Sequence, residues 1–212
     1  QLSGNKKIAI VHNGIIENFN ELKKELSENG VIFRSQTDSE VIAHLIEHYF
    51  KDDLYAAVKQ ATERLKGAYA LAVIAESQPD QFIVARKGSP LIIGIGKNEN
   101  YVSSDINAIT THTKDVIFLE DNEMGIITQN KVTIKNPSLI PSSRPVLFLA
   151  EMKSNPPMLK MIAVELKKEN NIPSLYTTDT NIGRRFAKML KSIKSAPKIF
   201  RIMDACILIK KS

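Results

Sequence analysis

Hydrophobic and polar positions alternate in a way that changes character twice along the chain. Ile8-Ala9-Ile10-Val11 is an unbroken apolar run and reads as a buried strand. It meets Asn13-Gly14, where the strand is expected to break into a polar segment that starts a helix. Phe19–Glu28 carries Leu22 and Leu26 one helical turn apart, with Glu21, Lys24 and Glu25 toward water. Asn18 stands at the capping position and Asn29-Gly30 at the stop. Val31-Ile32-Phe33 reads as a short strand. Thr37-Asp38-Ser39 opens a second helix to about Lys51, with Val41, Ile42, Leu45, Ile46 and Tyr49 as its apolar stripe, and Leu54–Leu65 gives a third.

Beyond Lys66-Gly67 the period drops to that of strands. Ala68–Ala75, Gln81–Ala85, Leu91–Ile95, Tyr101–Ser103, Val116–Leu119, Met124–Thr128 and Lys131–Ile134 are predicted strands, with a turn at Gln78-Pro79-Asp80 among others. Helices clustered early, followed by a long antiparallel run, make an α+β layout. After Asn136, prolines interrupt a Lys-, Ser- and Asn-rich stretch. There Met158–Glu169 and Ile182–Lys194 fit amphipathic helices, and Ile199–Ile209 fits a helix or a strand. The expected division is therefore residues 1–136 as one folded unit and 137–212 as a linker and basic tail.

Composition sharpens this division. The 212 residues are 43% hydrophobic and 25% charged, an ordinary globular balance. The net charge of +6 is unevenly spread: residues 1–136 hold 15 Lys and Arg against 18 Asp and Glu, and residues 137–212 hold 14 against 5. The main body is slightly acidic, so a nucleic-acid partner is not expected for it. In the tail, Arg184, Arg185, Lys188, Lys191, Lys194, Lys198 and Arg201 could form one basic face suited to phosphates. Lysine-rich solvated helices give the same pattern, and no nucleic-acid motif accompanies it. No apolar run has the length of a membrane span, and a lone Cys206 forbids an internal disulfide; a cytoplasmic setting is expected.

Two stretches carry candidate chemistry. Asn13-Gly14 offers a side-chain amide and an unhindered backbone N–H at one point. That pair suits a tight turn, and it also suits an oxyanion hole, whose donors must be fixed before charge develops on a carbonyl oxygen. Asp38, at a helix start, suits a first-turn acid favoured by the helix dipole, or a carboxylate that pairs with a substrate ammonium group. His44-Leu45-Ile46-Glu47-His48 matches the inverted zinc-peptidase pattern, but nothing downstream singles out a third ligand. Gly94-Ile95-Gly96 starts like a dinucleotide fingerprint and lacks its third glycine and helix start, so a strand end fits it better. No metal or other cofactor is expected.

Taken together, the two stretches resemble one family. Val11-His12-Asn13-Gly14-Ile15-Ile16-Glu17-Asn18, then Ser35-Gln36-Thr37-Asp38-Ser39-Glu40-Val41-Ile42-Ala43-His44-Leu45-Ile46, is similar to the glutaminase (class II glutamine amidotransferase) domains of glutamine–fructose-6-phosphate aminotransferases. Leu65-Lys66-Gly67-Ala68-Tyr69-Ala70, Ala85-Arg86-Lys87-Gly88-Ser89-Pro90-Leu91, Ser103-Ser104-Asp105 and Phe118-Leu119-Glu120-Asp121 follow in the family's order, over about residues 1–135. The related amidophosphoribosyltransferase and glutamate synthase glutaminases share the Asn-Gly and the Asp. The resemblance implies an amino-terminal-nucleophile hydrolase fold, a four-layer αββα sandwich. In that family an amino-terminal cysteine thiolate attacks the side-chain amide of L-glutamine. The Asn13 side chain and Gly14 N–H would hold the oxyanion, and Asp38 would bind the α-ammonium group. Ammonia would pass to fructose 6-phosphate on a sugar-isomerase domain outside this sequence, and a homo-oligomer is compatible with the family. The nucleophile segment of the family pattern is not in this sequence, and Cys206 has no free amino group to serve as its base. The resemblance therefore implies an amino-terminally truncated domain, incomplete as a catalyst. A remnant that only binds, with Asn-Gly as turn and Asp38 as cap, is the alternative from another class.

Overall fold

The computed structural model describes residues 1–136 and the strands Leu147–Phe148, Phe200–Met203 and Cys206–Lys210. The long helices come first. Strand β1 (Ile8–Ile16) leads to α1 (Phe19–Glu28), α2 (Asp38–Tyr49) and α3 (Leu54–Arg64). Then come β2 (Gly67–Ala75), β3 (Gln78–Lys87), β4 (Ile92–Ile95) and β5 (Glu99–Ser103), a short α4 (Ile106–Thr110), and β6 (Asp115–Phe118), β7 (Met124–Thr128) and β8 (Val132–Lys135). The remaining described strands are β9 (Leu147–Phe148), β10 (Phe200–Met203) and β11 (Cys206–Lys210).

The strands form two antiparallel sheets, ordered β1-β2-β3-β7-β8 and β10-β11-β5-β4-β6-β9. Alternate side chains point to opposite faces, so each inner strand feeds two cores at once. In β1, Ile8, Ile10 and Ile16 join a core with Leu22 and Leu26 of α1, Val41, Ile42, Leu45 and Ile46 of α2, and Leu54, Ala57 and Val58 of α3. Ala9 points the other way, into an inter-sheet core with Ala72, Ile74, Phe82, Val84, Ile93 and Val102. On the far side of the second sheet, Ile92, Tyr101 and Val116 pack with Ile106 and Ile109 of α4. The layers are helices, sheet, sheet and helix, the expected αββα sandwich.

Several local expectations are corrected. Asn13-Gly14 does not end the first strand: β1 runs on to Ile16 and pairs with β2 residue for residue from Ile8↔Ala75 to Ile16↔Gly67. Nine continuous pairs outweigh a two-residue turn signal. Val31–Phe33 forms no strand. Phe33 packs on the helix core while Ile32 is 81% exposed, and among the described residues no strand pairs with them. Gln78-Pro79-Asp80 belongs to β3, where the register against β2 shifts between Val73 and Ala75; such a bulge accommodates a proline that cannot donate. Asn18 does not cap α1 with its side chain but bridges to Arg64 O (3.0 Å) and Lys66 N–H (2.9 Å), tying the helix entry to the end of α3.

In the tail, β10 and β11 pair with each other, and β11 extends the second sheet along β5, with Cys206 opposite Ser103. That settles the helix-or-strand alternative as strand for Phe200–Met203 and Cys206–Lys210. The proposed helices Met158–Glu169 and Ile182–Lys194, and with them most of the basic face, lie outside the described residues. Among the described residues no helix is long and apolar enough to cross a membrane.

Candidate active site

β1 is an edge strand, and the direction of its N–H groups follows from its pairing. Glu17 N–H donates to Lys66 O and Glu76 N–H to Lys7 O, so the odd-numbered positions of β1 exchange bonds with β2. The even-numbered N–H groups point outward. Three of them have outward acceptors: Ile8 N–H finds Ser3 Oγ (3.2 Å), Ile10 N–H finds Gln1 O (2.9 Å), and Ile16 N–H finds Asp38 Oδ2 (3.0 Å). By the same parity the Gly14 N–H faces out from the edge, on the side where no strand pairs.

Gly14 has φ +132°, and a Cβ built on it would stand 2.2 Å from Ala68 O of β2. No other residue fits so close an approach in that conformation. Asn13 has the opposite parity from Ile16 and so lies on the other face of the strand. It is exposed, and its side chain makes no hydrogen bond among the described residues. The Ile16 N–H that holds Asp38 and the Gly14 N–H thus share the outward edge two residues apart, while the Asn13 side chain lies on the other face of the strand.

Asp38 is the first residue of α2 and half-buried. Its acceptor role toward Ile16 N–H fastens the start of the helix to the end of β1. On its other side stands His12, whose side chain is only 2% exposed. His12 Nδ1 lies 3.0 Å from Ser39 Oγ and 3.7 Å from Asp38 Oδ1. Burial pushes the His12 imidazole below its ordinary pKa, with the Asp38 charge pulling the other way, so the ring is neutral at neutral pH. His12 belongs to the family-like motif, yet the residue type alone assigns it no role. The available signal was parity: His12, Gly14 and Ile16 share a face, the one that α2 covers.

Asp38 is placed by a second, wholly buried carboxylate. Glu40, 2% exposed, accepts from Arg34 N–H (2.8 Å), Ser35 N–H (2.6 Å) and Ser35 Oγ (2.5 Å), folding the preceding loop onto the first turn of α2. Burial pushes the Glu40 carboxyl up, but these donors outweigh it and hold the group below its ordinary value. His44 lies 3.6 Å from Glu40 and 3.6 Å from Glu47, and Glu47 in turn accepts from Gly4 N–H and Asn5 N–H (both 3.1 Å). The H-x-x-E-H pattern is thereby spent on joining two loops. His48 is exposed, with its ring edge-on to Tyr49, and among the described residues no group of three or more His, Cys, Asp or Glu is placed to hold a metal.

A cleft of about 230 Å³ opens elsewhere, between α3 and the β2–β3–β7 strands. Lys59, Thr62, Tyr69, Arg86 and Lys87 line it, and residues 13, 14 and 38 do not.

Comparison with known proteins bears on this arrangement. A family model described as glutamine amidotransferase domain matches residues 1–111, more than half of the chain. The chain belongs to that family. This amidotransferase chain is 49% identical over 142 residues to the glutamine–fructose-6-phosphate aminotransferase [isomerizing] of Aquifex aeolicus, covering 67% of this chain and 24% of that protein. It is 52% identical over 118 residues to the protein of the same name from Bordetella pertussis, covering 56% and 19%. The chain spans about a quarter of the length of the curated relatives it matches. Among solved structures, the glutamine phosphoribosylpyrophosphate (PRPP) amidotransferase from B. subtilis, complexed with ADP and GMP, superimposes with TM-score 0.53 at 30% identity. That match covers 63% of this chain and 30% of the other. The amidotransferase family and the sandwich fold agree with the resemblance read in the sequence.

Proposed function

We propose that this chain forms the glutamine-recognising part of a glutaminase. The ammonia released from L-glutamine would convert fructose 6-phosphate to glucosamine 6-phosphate on a sugar-isomerase domain, as the name of its 45–52% identical relatives suggests. The observation that carries this reading is the spacing along the β1 edge. Asp38 is anchored at Ile16 N–H, and the Gly14 N–H lies two residues back, about 6.7 Å along a strand. In extended L-glutamine the α-amino nitrogen and the side-chain amide oxygen are about 6 Å apart by ordinary bond lengths. One end of the edge therefore suits the ammonium group and the other the amide oxygen.

In this reading Asp38 pairs with the α-ammonium group and orients the amide toward the edge. Attack by a thiolate on the amide carbon would place negative charge on its oxygen, where the Gly14 N–H and the Asn13 side-chain amide donate. A donor fixed in advance costs no reorganisation at that moment, and losing one such donor typically lowers the rate by about 10²–10³-fold. The attacking thiolate is the family's amino-terminal cysteine. Cys206 is placed by register opposite Ser103 in the second sheet and does not serve. The amidotransferase unit would comprise residues 1–136 together with the strands β9, β10 and β11 that join its second sheet, and the rest of 137–212 the linker and tail.

The test is calorimetric titration of the 212-residue chain with L-glutamine, beside Asp38→Asn and Asn13→Ala. Binding by the wild type that Asp38→Asn weakens by tenfold or more supports the reading. Equal binding by wild type and Asp38→Asn refutes it. In a chain that carries the family's amino-terminal cysteine, loss of ammonia release in a folded Asn13→Ala variant would place the oxyanion role on that side chain.

A further inference from the structure

We propose that His12 is a positioning residue that sets the orientation of the Asp38 carboxylate, and through it the selectivity for an α-ammonium group; the proposal rests on the reading of Asp38 given above. The two carboxylate oxygens are held from different sides. Oδ2 takes Ile16 N–H at 3.0 Å, while Oδ1 faces Ser39 Oγ at 3.5 Å and His12 Nδ1 at 3.7 Å. His12 and Ile16 flank Gly14 on the same face of β1, so the carboxylate is clasped across the glycine whose N–H faces the edge.

The tautomer follows from the partners. Ser39 Oγ stands between Nδ1 (3.0 Å) and Asp38 Oδ1 (3.5 Å); a hydroxyl that donates to the carboxylate leaves its oxygen to accept from the ring, so Nδ1 carries the proton. Nε2 is then left as a buried acceptor, and it has no hydrogen-bond partner among the described residues. The opposite tautomer would bury an unpaired N–H, the rarer arrangement, and would turn the Ser39 hydroxyl away from Asp38 toward the ring. An unsatisfied nitrogen in a sealed position is a cost that apolar packing alone would have avoided with a leucine. Nor is Nε2 open to solvent, so the ring does not exchange protons with a substrate at the edge. Its role is to hold, acting through Asp38 and Ser39.

The experiment uses two ligands: L-glutamine and 5-amino-5-oxopentanoate, which is glutamine without its α-amino group. Both are titrated calorimetrically into wild type, His12→Leu, His12→Asn and Ser39→Ala, with the melting temperature recorded for each. A general loss of structure weakens both ligands alike. A mispositioned Asp38 erodes only the preference between them. The wild type is expected to prefer glutamine by tenfold or more, and His12→Leu to reduce that preference to threefold or less. His12→Asn, whose side-chain amide can donate from nearly the Nδ1 position, should retain it. If His12→Leu does not fold, Ser39→Ala carries the comparison: a severalfold loss of preference supports the proposal, and full preference overturns it. A preference undiminished in folded His12→Leu overturns the positioning role while leaving Asp38 as the anchor. A wild type with no preference overturns the reading of Asp38 and the role of His12 with it.

Discussion

Replacing Gly14 by alanine is the sharpest probe of the β1 edge, because Gly30 supplies a matched control. Both glycines have positive φ, +132° at Gly14 and +85° at Gly30. A Cβ at Gly30 meets nothing within 4 Å, so only the backbone conformation resists it. That left-handed penalty is about 1–2 kcal/mol, partly offset by about 0.4–1 kcal/mol from a stiffer unfolded chain, leaving a net cost of about 1.6 kcal/mol at most. At Gly14 the same Cβ stands 2.2 Å from Ala68 O, 2.8 Å from its carbonyl carbon and 2.9 Å from Tyr69 Cα. All three are backbone atoms of β2, whose next residues are buried on both faces, so no flexible side chain gives way. Strain of about 1–3 kcal/mol in the backbone, with a similar amount for displacing a packed strand, gives about 2–6 kcal/mol in all, with about 4 kcal/mol at mid-range. At a urea m-value near the middle of the usual range, about 2 kcal/mol/M, Gly14→Ala should unfold at least about 1 M earlier than Gly30→Ala. Urea denaturation followed by far-UV circular dichroism measures both. Midpoints within about 0.3 M of each other would mean that the edge yields freely, and the argument that Gly14 is fixed by close approach would fail.

Further outcomes follow from the neighbouring groups. Asp38→Asn keeps an acceptor for Ile16 N–H and removes the charge, so stability should change by about 1 kcal/mol or less while glutamine binding falls tenfold or more, read by melting and calorimetry together. Glu40→Leu strands the Arg34 and Ser35 N–H groups and should cost about 2–4 kcal/mol in urea denaturation; a neutral result would refute its role in holding the loop. The folded-state pKa values of Glu40 and Glu47 are lowered: burial raises each, and the donors around it outweigh burial. Their contribution is therefore complete above the unfolded value near 4.5 and is lost as pH falls through the folded values. Stability measured from about pH 6 down to about pH 3 should fall for the wild type and fall less for Glu47→Gln. Zinc should not raise the melting temperature through His44 and His48, because one ring is sealed between carboxylates and the other lies against Tyr49. A zinc-dependent rise that is lost in His48→Ala would contradict that assignment.

The elements that could be read in the sequence are those whose pattern is local and long. α1 and α3 announce themselves by Leu22 and Leu26, and by Leu54, Ala57, Val58 and Ala61, all buried at helical spacing. β2 does so by its continuous apolar run between two cores. α4 did not: with five residues it offers only Ile106 and Ile109, and its decisive signal is the Asp105 side chain accepting from Asn107 N–H at 2.8 Å. Val31–Phe33 misled because a strand needs a neighbour to pair with, and that is not written in three apolar residues. At the candidate site the residue types were legible from the family pattern, but the geometry was not. Asp38 reaches Ile16 N–H across 22 positions of sequence, and the outward row of N–H groups exists only once β2 has taken the odd-numbered ones. The roles of His12 and Glu40 are illegible in the sequence for the same reason, since each acts through contacts made by the folded layers.

The dependence on odd and even positions has a genetic consequence. One extra residue inserted between Val11 and Asn13, with β2 unchanged, would hand the glycine amide to the ladder and turn its neighbours outward, without altering any side chain of the motif. Two inserted residues would restore the direction and only lengthen the strand. Tolerance of paired insertions over single ones at this point is the signature that an edge of alternating amides would leave in a library of length variants.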